Sequence, residues 1–463
     1  MPGLCAESLK VLVISAAMCG PSGMVADAAG LGEREQVAYT ARLRGKDPAA
    51  RLAAIRELAK FPEPAAAQLL IRFGLNDANA EVCRAAYATL LGSKDQPEVC
   101  AFLIDQLNQE VRHVRHDSSA PLLLAVLLSS RLADIQKSTD RYFEKLAAAR
   151  DGAVFAATMA DLLSIHRMRD DIEPLLYLAR SKMAEKFLVR RAIVHALTQI
   201  DEPEAIGALV ALAAKFDGEV LADICEYLAL VTKKQFTAPE EWAKWWAENK
   251  ATFQFPPGLV RPETRKFENL VVGTATQYYG LPLYARRMVF VVDMSLSMRA
   301  PASGFPGQGG NGMGVTRIDA AKRELRTVLT SLNSNVSFGI VTFDRDSTLW
   351  KKKLVEATSA NKLDAIRFVE KAQLELGTST YDALQAAFKY DAEAIYLLTD
   401  GAPASGQVVN PLAIVNTITA QNRSRRESIY TIGIGVGPAG SRFEVFLQTL
   451  AEQNFGLFRR VDE

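Results

Sequence analysis

Three short segments of this chain carry oxygen ligands in a pattern suited to a hard cation. The first is Asp293-Met294-Ser295-Leu296-Ser297, with an acid and two hydroxyls at alternate positions. The second is Leu376-Gly377-Thr378-Ser379-Thr380-Tyr381-Asp382, and the third is Thr399-Asp400-Gly401. Together they offer two carboxylates and three hydroxyls. Such a set favours Mg2+ or Mn2+, which take oxygen ligands in six-fold geometry. The D-x-S-x-S spacing on a tight loop aims three side chains at one point. Three protein groups plus waters leave one coordination position open. Two carboxylates roughly neutralise the ion, which stays Lewis acidic enough to accept an outside carboxylate.

Other candidate constellations are weaker. Gly307-Gln308-Gly309-Gly310-Asn311-Gly312 spells G-x-G-x-x-G, but a dinucleotide site needs those glycines directly after a strand. Here the preceding strand ends near Asp293, more than ten residues earlier. The stretch reads as a flexible insertion beside the cation site. His113 and His116 stand at i, i+3, but arginines interleave them as on a solvated basic face. His166 and His195 fall in helical patterns. No Ser/His/Asp or Cys/His arrangement is present, and the D-x-S-x-S serines have no candidate base. These features argue against an enzyme. Trp242, Trp245 and Trp246 share one helical face, which reads as a core plug rather than a stacking platform.

The elements that must position the oxygen ligands alternate between apolar strands and amphipathic helices from residue 287 onward. The pattern predicts strands over 289–292, 336–343, 349–355, 395–398 and 429–436. It predicts helices over 317–332, 361–374, 381–389, 412–421 and 441–453. Short, fully apolar strands between helices imply an α/β doubly wound, mostly parallel sheet covered on both faces. Ligands in such sheets bind at the carboxyl ends of the strands, where all three segments fall.

Residues 33 to about 235 read differently. Apolar residues recur at i, i+3, i+4 and i+7, as in Arg51-Leu52-Ala53-Ala54-Ile55-Arg56-Glu57-Leu58. Asp47-Pro48 and Asp77-Ala78 each open a helix, where Asp can cap free N–H groups. Such punctuation recurs at about thirty residues, the period of stacked helical pairs. The Pro-rich stretch 251–285, with strand-like pieces at 270–272 and 275–283, marks the boundary between the two regions.

On these motifs, residues 287–463 resemble a von Willebrand factor type A domain, and the three segments resemble its metal-ion-dependent adhesion site. The likeness extends to Arg317-Ile318-Asp319-Ala320-Ala321-Lys322 and to Leu450-Ala451-Glu452-Gln453-Asn454-Phe455-Gly456. It implies that Asp293, Ser295, Ser297 and Thr378 are direct or near-direct metal ligands, with Asp400 binding directly or through water. Leu296 stands where many members have Gly, which puts the loop geometry in question. The helical region resembles HEAT repeats through spacing and a D-x-x-x-R-x-x-A motif. The resemblance implies a non-enzymatic binding module that holds an acidic group of a protein partner through Mg2+ or Mn2+. The alternative is a non-catalytic subunit of a chelatase- or ATPase-type assembly.

The expected architecture is a multidomain chain: an all-α helical-repeat solenoid at 31–250, a connection at 251–285, and the α/β domain at 286–463. The bulk composition agrees with globular domains, at 49% hydrophobic and 23% charged residues. Fifty-four basic residues against fifty-three acidic ones give no reason to expect nucleic acid as a partner. No small-molecule substrate is expected. Five cysteines are too few for a disulfide scaffold. Residues 1–30 read as a secretory signal peptide: Lys10 precedes an apolar run from Val11 to Met18, and Ala26-Asp27-Ala28 offers a cleavage site. The expected location is therefore extracytoplasmic, periplasmic or secreted. A cytoplasmic chain with a helical or disordered N-terminus is the competing reading.

Overall fold

The computed structural model describes residues 30–110, 119–261, 276–302 and 315–461. The signal-peptide reading, His113 and His116, the strand-like piece at 270–272 and the glycine-rich stretch 307–312 lie outside the described residues. The chain divides into two compact units, one ending at Leu178 and the other spanning Ala179–Glu463.

The first unit is helical: α1 (Glu33–Leu43), α2 (Pro48–Leu58), α3 (Pro64–Leu69), α4 (Ala80–Gly92), α5 (Pro97–Glu110), α6 (Ala120–Leu128), α7 (Ala133–Ala148) and α8 (Gly152–His166), with α9 (Ile172–Arg180) at its end. Local chemistry sets several of these boundaries. Asp47 caps α2 as its position predicts, accepting from the Ala49 and Ala50 amides at 3.1 and 3.2 Å. Asp77 differs. The cap of α4 is Asn79, whose Oδ1 accepts from the Glu81 and Val82 amides. Asp77 sits outside the helix because it has another partner: the Arg51 guanidinium grips it through two bonds of 2.7 and 2.8 Å. The arginine of the D-x-x-x-R-x-x-A motif thus ties α2 to the turn before α4.

The second unit begins with α10 (Phe187–Thr198), α11 (Pro203–Ala213), α12 (Gly218–Thr232) and α13 (Pro239–Asn249). Trp242 of α13 is fully buried and edges against Phe236 at 4.9 Å, while Trp245 and Trp246 pack on Phe253. Trp242 is core, as the spacing predicts, while Trp245 and Trp246 on the same face are only half-buried. A short hairpin follows, β1 (Gln277–Tyr278) and β2 (Leu281–Pro282).

The remaining elements are β3 (Arg287–Asp293), α14 (Arg317–Ser331), β4 (Ser337–Phe343), β5 (Ser347–Leu349), β6 (Val355–Glu356), α15 (Ser359–Lys371), α16 (Thr380–Ala387), β7 (Ala394–Thr399), α17 (Pro411–Asn422), β8 (Ser428–Ile434), α18 (Arg442–Glu452) and β9 (Phe458–Val461). The sheet runs β5-β4-β3-β7-β8-β9, with β6 also on β4. From β4 to β9 every neighbour is parallel, and β5 and β6 are antiparallel to β4. Alternation explains the unbroken apolar run of β3. Met288, Phe290 and Val292 enter a core with Ile318, Leu325 and Val369 of α14 and α15. Val289 and Val291 enter the opposite core with Leu384, Ile414 and Leu447 of α16, α17 and α18. The sheet is doubly wound, as the sequence pattern predicts.

The expected strand over 349–355 is two edge pieces instead. Trp350 stacks on Phe338 with ring centroids 5.2 Å apart, and Lys351 pairs with Asp364. Trp350 N still donates to Ile340 O of β4, and the chain leaves the ladder after it, returning at Val355.

Candidate metal centre

The carboxyl end of β3 places Asp293 level with Phe343 at the end of β4. The chain then turns away, and Met294 N donates to Phe343 O at 2.6 Å. The next residues pair with a second loop: Leu296 N donates to Glu375 O and Glu375 N to Met294 O, at 2.9 and 3.0 Å. This pairing brings the loop of Thr378 beside D-x-S-x-S. Gly377 makes the approach possible. Its φ is 108°, and an added Cβ would lie 2.7 Å from Ser405 Oγ and 3.0 Å from the Arg345 Cα. Thr378 is fixed by its backbone, donating from N to Ser405 Oγ at 2.8 Å and accepting from Ala404 N at 3.0 Å. The question raised by Leu296 also has an answer. It opens a short 3-10 turn, Leu296–Arg299, without a positive φ, so the loop accepts its side chain.

Four of the five candidate ligands form one hydrogen-bonded row. Asp293 Oδ1 accepts from Ser295 N at 2.8 Å. The Ser295 and Ser297 hydroxyl oxygens lie 2.9 Å apart. Ser297 Oγ donates to Asp400 Oδ1 at 2.8 Å. Thr378 is buried on the adjoining loop, and no hydrogen bond joins its hydroxyl to the row among the described residues. Two further residues belong to the site. Thr399 Oγ1 donates to Asp293 Oδ2 at 2.5 Å, and Arg317 Nη1 lies 3.2 Å from Asp400 Oδ2. Thr399 was visible in the sequence only as the neighbour of Asp400. Arg317 was visible only as the first residue of a helix.

The electrostatics of the site favour a cation. Burial, and then the charge of Asp400, push the Asp293 carboxyl up to about 7. Burial also raises Asp400, against the opposing hydrogen bonds from Ser297 and Arg317. A dication between the two acids would relieve both burdens. The donor set also fits. Among the described residues no group of three His, Cys, Asp or Glu side chains converges. Here two carboxylates are supplemented by hydroxyls, which are ligands for a hard ion and not for zinc.

A pH dependence follows. Burial is the leading cause that raises Asp171 to about 7, Asp293 to about 7 and Glu427 to about 8. Unfolded, these groups titrate near 4. Between those limits the folded chain holds protons that the unfolded chain releases, so stability falls as pH rises. The metal-free melting temperature should drop between pH 6 and pH 8.5. Saturating Mg2+ should flatten part of that slope by holding Asp293 ionised. A melting temperature that rises over this range would contradict the assignment.

Both regions of the chain are similar to known proteins. Residues 288–402 match the family model of the von Willebrand factor type A domain, and residues 38–123 match that of HEAT repeats. Human inter-alpha-trypsin inhibitor heavy chain H4 is 29% identical over 197 residues, which is 40% of this chain and 19% of that protein. Heavy chain H2 of Mesocricetus auratus is 27% identical over 192 residues, 38% of this chain and 18% of that protein. The chain therefore spans about a fifth of the length of these curated relatives. Among solved structures, a von Willebrand factor type A protein from Catenulispora acidiphila is 18% identical with a TM-score of 0.32, over 40% of each chain.

Proposed function

We propose that this chain, a von Willebrand factor type A domain carried behind HEAT repeats, is a non-enzymatic adhesion module that binds a partner protein through a divalent metal. Asp293, Ser295, Ser297, Thr378 and Asp400 hold Mg2+ or Mn2+ in this reading. The metal supplies an open coordination position for a carboxylate of the partner. The observation that carries the proposal is the row of oxygens from Asp293 through Ser295 and Ser297 to Asp400, set at the carboxyl ends of β3 and β7. The backbone turn at Ser295 and the Thr399 hydroxyl orient Asp293, and Arg317 orients Asp400.

In the same reading 31–250 is a repeat scaffold with a second recognition surface, 251–285 is the connection, and 286–463 is the metal-binding domain. Residues 1–30 direct export, and the site of action is extracytoplasmic. None of the described helices is long and apolar enough to cross a membrane.

The test is affinity capture on the immobilised full chain in Mg2+, followed by elution with EDTA. A partner should elute with EDTA and be missing when the bait is Asp293→Ala. Capture that ignores both EDTA and the substitution would remove the metal from the binding mechanism.

A further inference from the structure

The segment that follows Asp400 is laid along the loop of Thr378. Ser405 Oγ accepts from Thr378 N at 2.8 Å, and Thr378 O accepts from Ala404 N at 3.0 Å and from Ser405 N at 3.4 Å. Two glycines let the segments come this close. Gly377, with φ 108°, leaves the space that Ser405 Oγ fills, since a Cβ there would lie 2.7 Å from it. Gly406, with φ 95°, rests on the start of α16, where a Cβ would strike the Asp382 carboxylate and lie 3.0 Å from Ser379 Cβ. The seam continues one residue on, with Gln407 N donating to Asp382 Oδ2 at 3.0 Å. On its other side the Thr378 loop is anchored by Ser379 N, which donates to Asp344 O beyond β4 at 2.7 Å. Among the described residues no hydrogen bond joins the Thr378 hydroxyl to the ligand row, so the main chain alone sets where that hydroxyl stands. Of the bonds that hold Thr378 itself, two run between main chains. The third depends on a side chain, that of Ser405, and the N–H it serves belongs to a residue only 6% exposed.

We infer that Ser405 is a positioning residue of the metal site: its hydroxyl pins the Thr378 main chain to the segment that follows Asp400, so that these two ligands are set as one unit. The inference rests on the metal reading of Thr378 and Asp400. Ser405 touches no metal in it and acts only through Thr378. A buried N–H that loses its acceptor must find another, and the loop shifts to do so. With Ser405 in place, the cost of holding Thr378 beside the row is met when the chain folds. Without it, the incoming ion has to order that loop itself, and its affinity falls by the cost of the ordering. Partners that orient a metal ligand from behind change metal affinity by about 10-fold to 100-fold when removed. A neutral hydroxyl acting on one of five ligands belongs at the lower end of that range.

The experiment is a double-mutant cycle on the full chain, with Mn2+ alone as the probe: parent, Ser405→Ala, Thr378→Ala and the two together. Isothermal titration should show Ser405→Ala binding Mn2+ about tenfold more weakly than the parent. Thr378→Ala keeps the main-chain clamp but removes the hydroxyl it positions. In that background Ser405→Ala should change the affinity by less than about twofold, because Ser405 has nothing left to position. A merely structural role would cost the same in both backgrounds. Hydrogen exchange across 376–382 gives a second reading, and it decides alone where the double variant binds too weakly to titrate. Without metal, that segment should exchange faster in Ser405→Ala than in the parent, and saturating Mn2+ should bring it back toward the parent's rate. If Ser405→Ala matches the parent in both affinity and exchange, or weakens Thr378→Ala by the full tenfold, the positioning role is wrong and the metal site stands. If the parent itself does not bind Mn2+, or Thr378→Ala binds it as well as the parent, the metal reading of Thr378 fails and takes this inference with it.

Discussion

Saturating Mg2+ should raise the melting temperature of the full chain, and Asp293→Ala should abolish that rise. A ligand present at a hundredfold excess over its dissociation constant stabilises the folded state by about 2.7 kcal/mol. In a unit the size of Ala179–Glu463 that is a shift of roughly 5 °C. The readout must be the difference with and without metal, because the substitution itself pulls stability both ways. Removing Asp293 relieves the cost of a buried carboxyl raised to about 7. It also takes the acceptor from Ser295 N and Thr399 Oγ1. The metal-free melting temperature of the variant therefore has no fixed sign, whereas its response to Mg2+ does. Calorimetry with Mg2+ and with EDTA separates the two. A shift retained in Asp293→Ala would place the ion elsewhere, and no shift in the parent would leave the oxygen row without its cation.

The parts of this site that were legible in the sequence are those fixed by local pattern. Strands such as 289–292 are apolar on both faces, so they had to be covered by helices on both sides, and β3 divides its residues between two cores accordingly. Once the sheet is doubly wound, segments that follow its strands must meet at one edge, which is why Asp293 and Asp400 could be paired across more than a hundred residues. What the sequence could not reveal depends on side chains meeting from distant elements. Arg317 reads as an ordinary first-turn residue until Asp400 is seen 3.2 Å away. Asp77 and Asn79 are both good caps by type, and only the grip of Arg51 on Asp77 decides between them. Nor does the pattern of α10 and α12, regular repeat helices by spacing, hint that both send charged groups against a strand of the sheet.

That last contact predicts the largest loss of stability in the second unit. Glu219, in the first turn of α12, is fully buried, and its carboxylate accepts from Ser428 Oγ at 3.0 Å and from Tyr430 OH at 2.9 Å. Arg191 of α10 completes the set: it donates to Ser428 Oγ and to Arg426 O, pairs with Asp223, and lies 4.5 Å from the centre of the Phe455 ring. Tyr430 in turn stacks on Tyr396 of β7, with ring centroids 4.7 Å apart. Glu219→Ala removes the shared acceptor while its donors stay buried, a change that costs about 3–5 kcal/mol. Glu219→Gln keeps an acceptor oxygen and should lose about half as much. The same logic holds for a chain cut to 280–463, which discards both Glu219 and Arg191 and should unfold well below a chain beginning at Ala179. All four tryptophans lie in this unit, at positions 242, 245, 246 and 350, so their fluorescence during urea unfolding of the full chain reports on it directly. Replacing Glu219 and its two donors together, by Glu219→Leu, Ser428→Ala and Tyr430→Phe, should recover much of the loss, because a buried acid is costly to keep as well as costly to remove from its donors, and Arg191 keeps Arg426 O and Asp223. If Glu219→Ala unfolds at the same urea concentration as the parent, the network holds nothing, and α10 and α12 are joined to β8 by their apolar contacts alone.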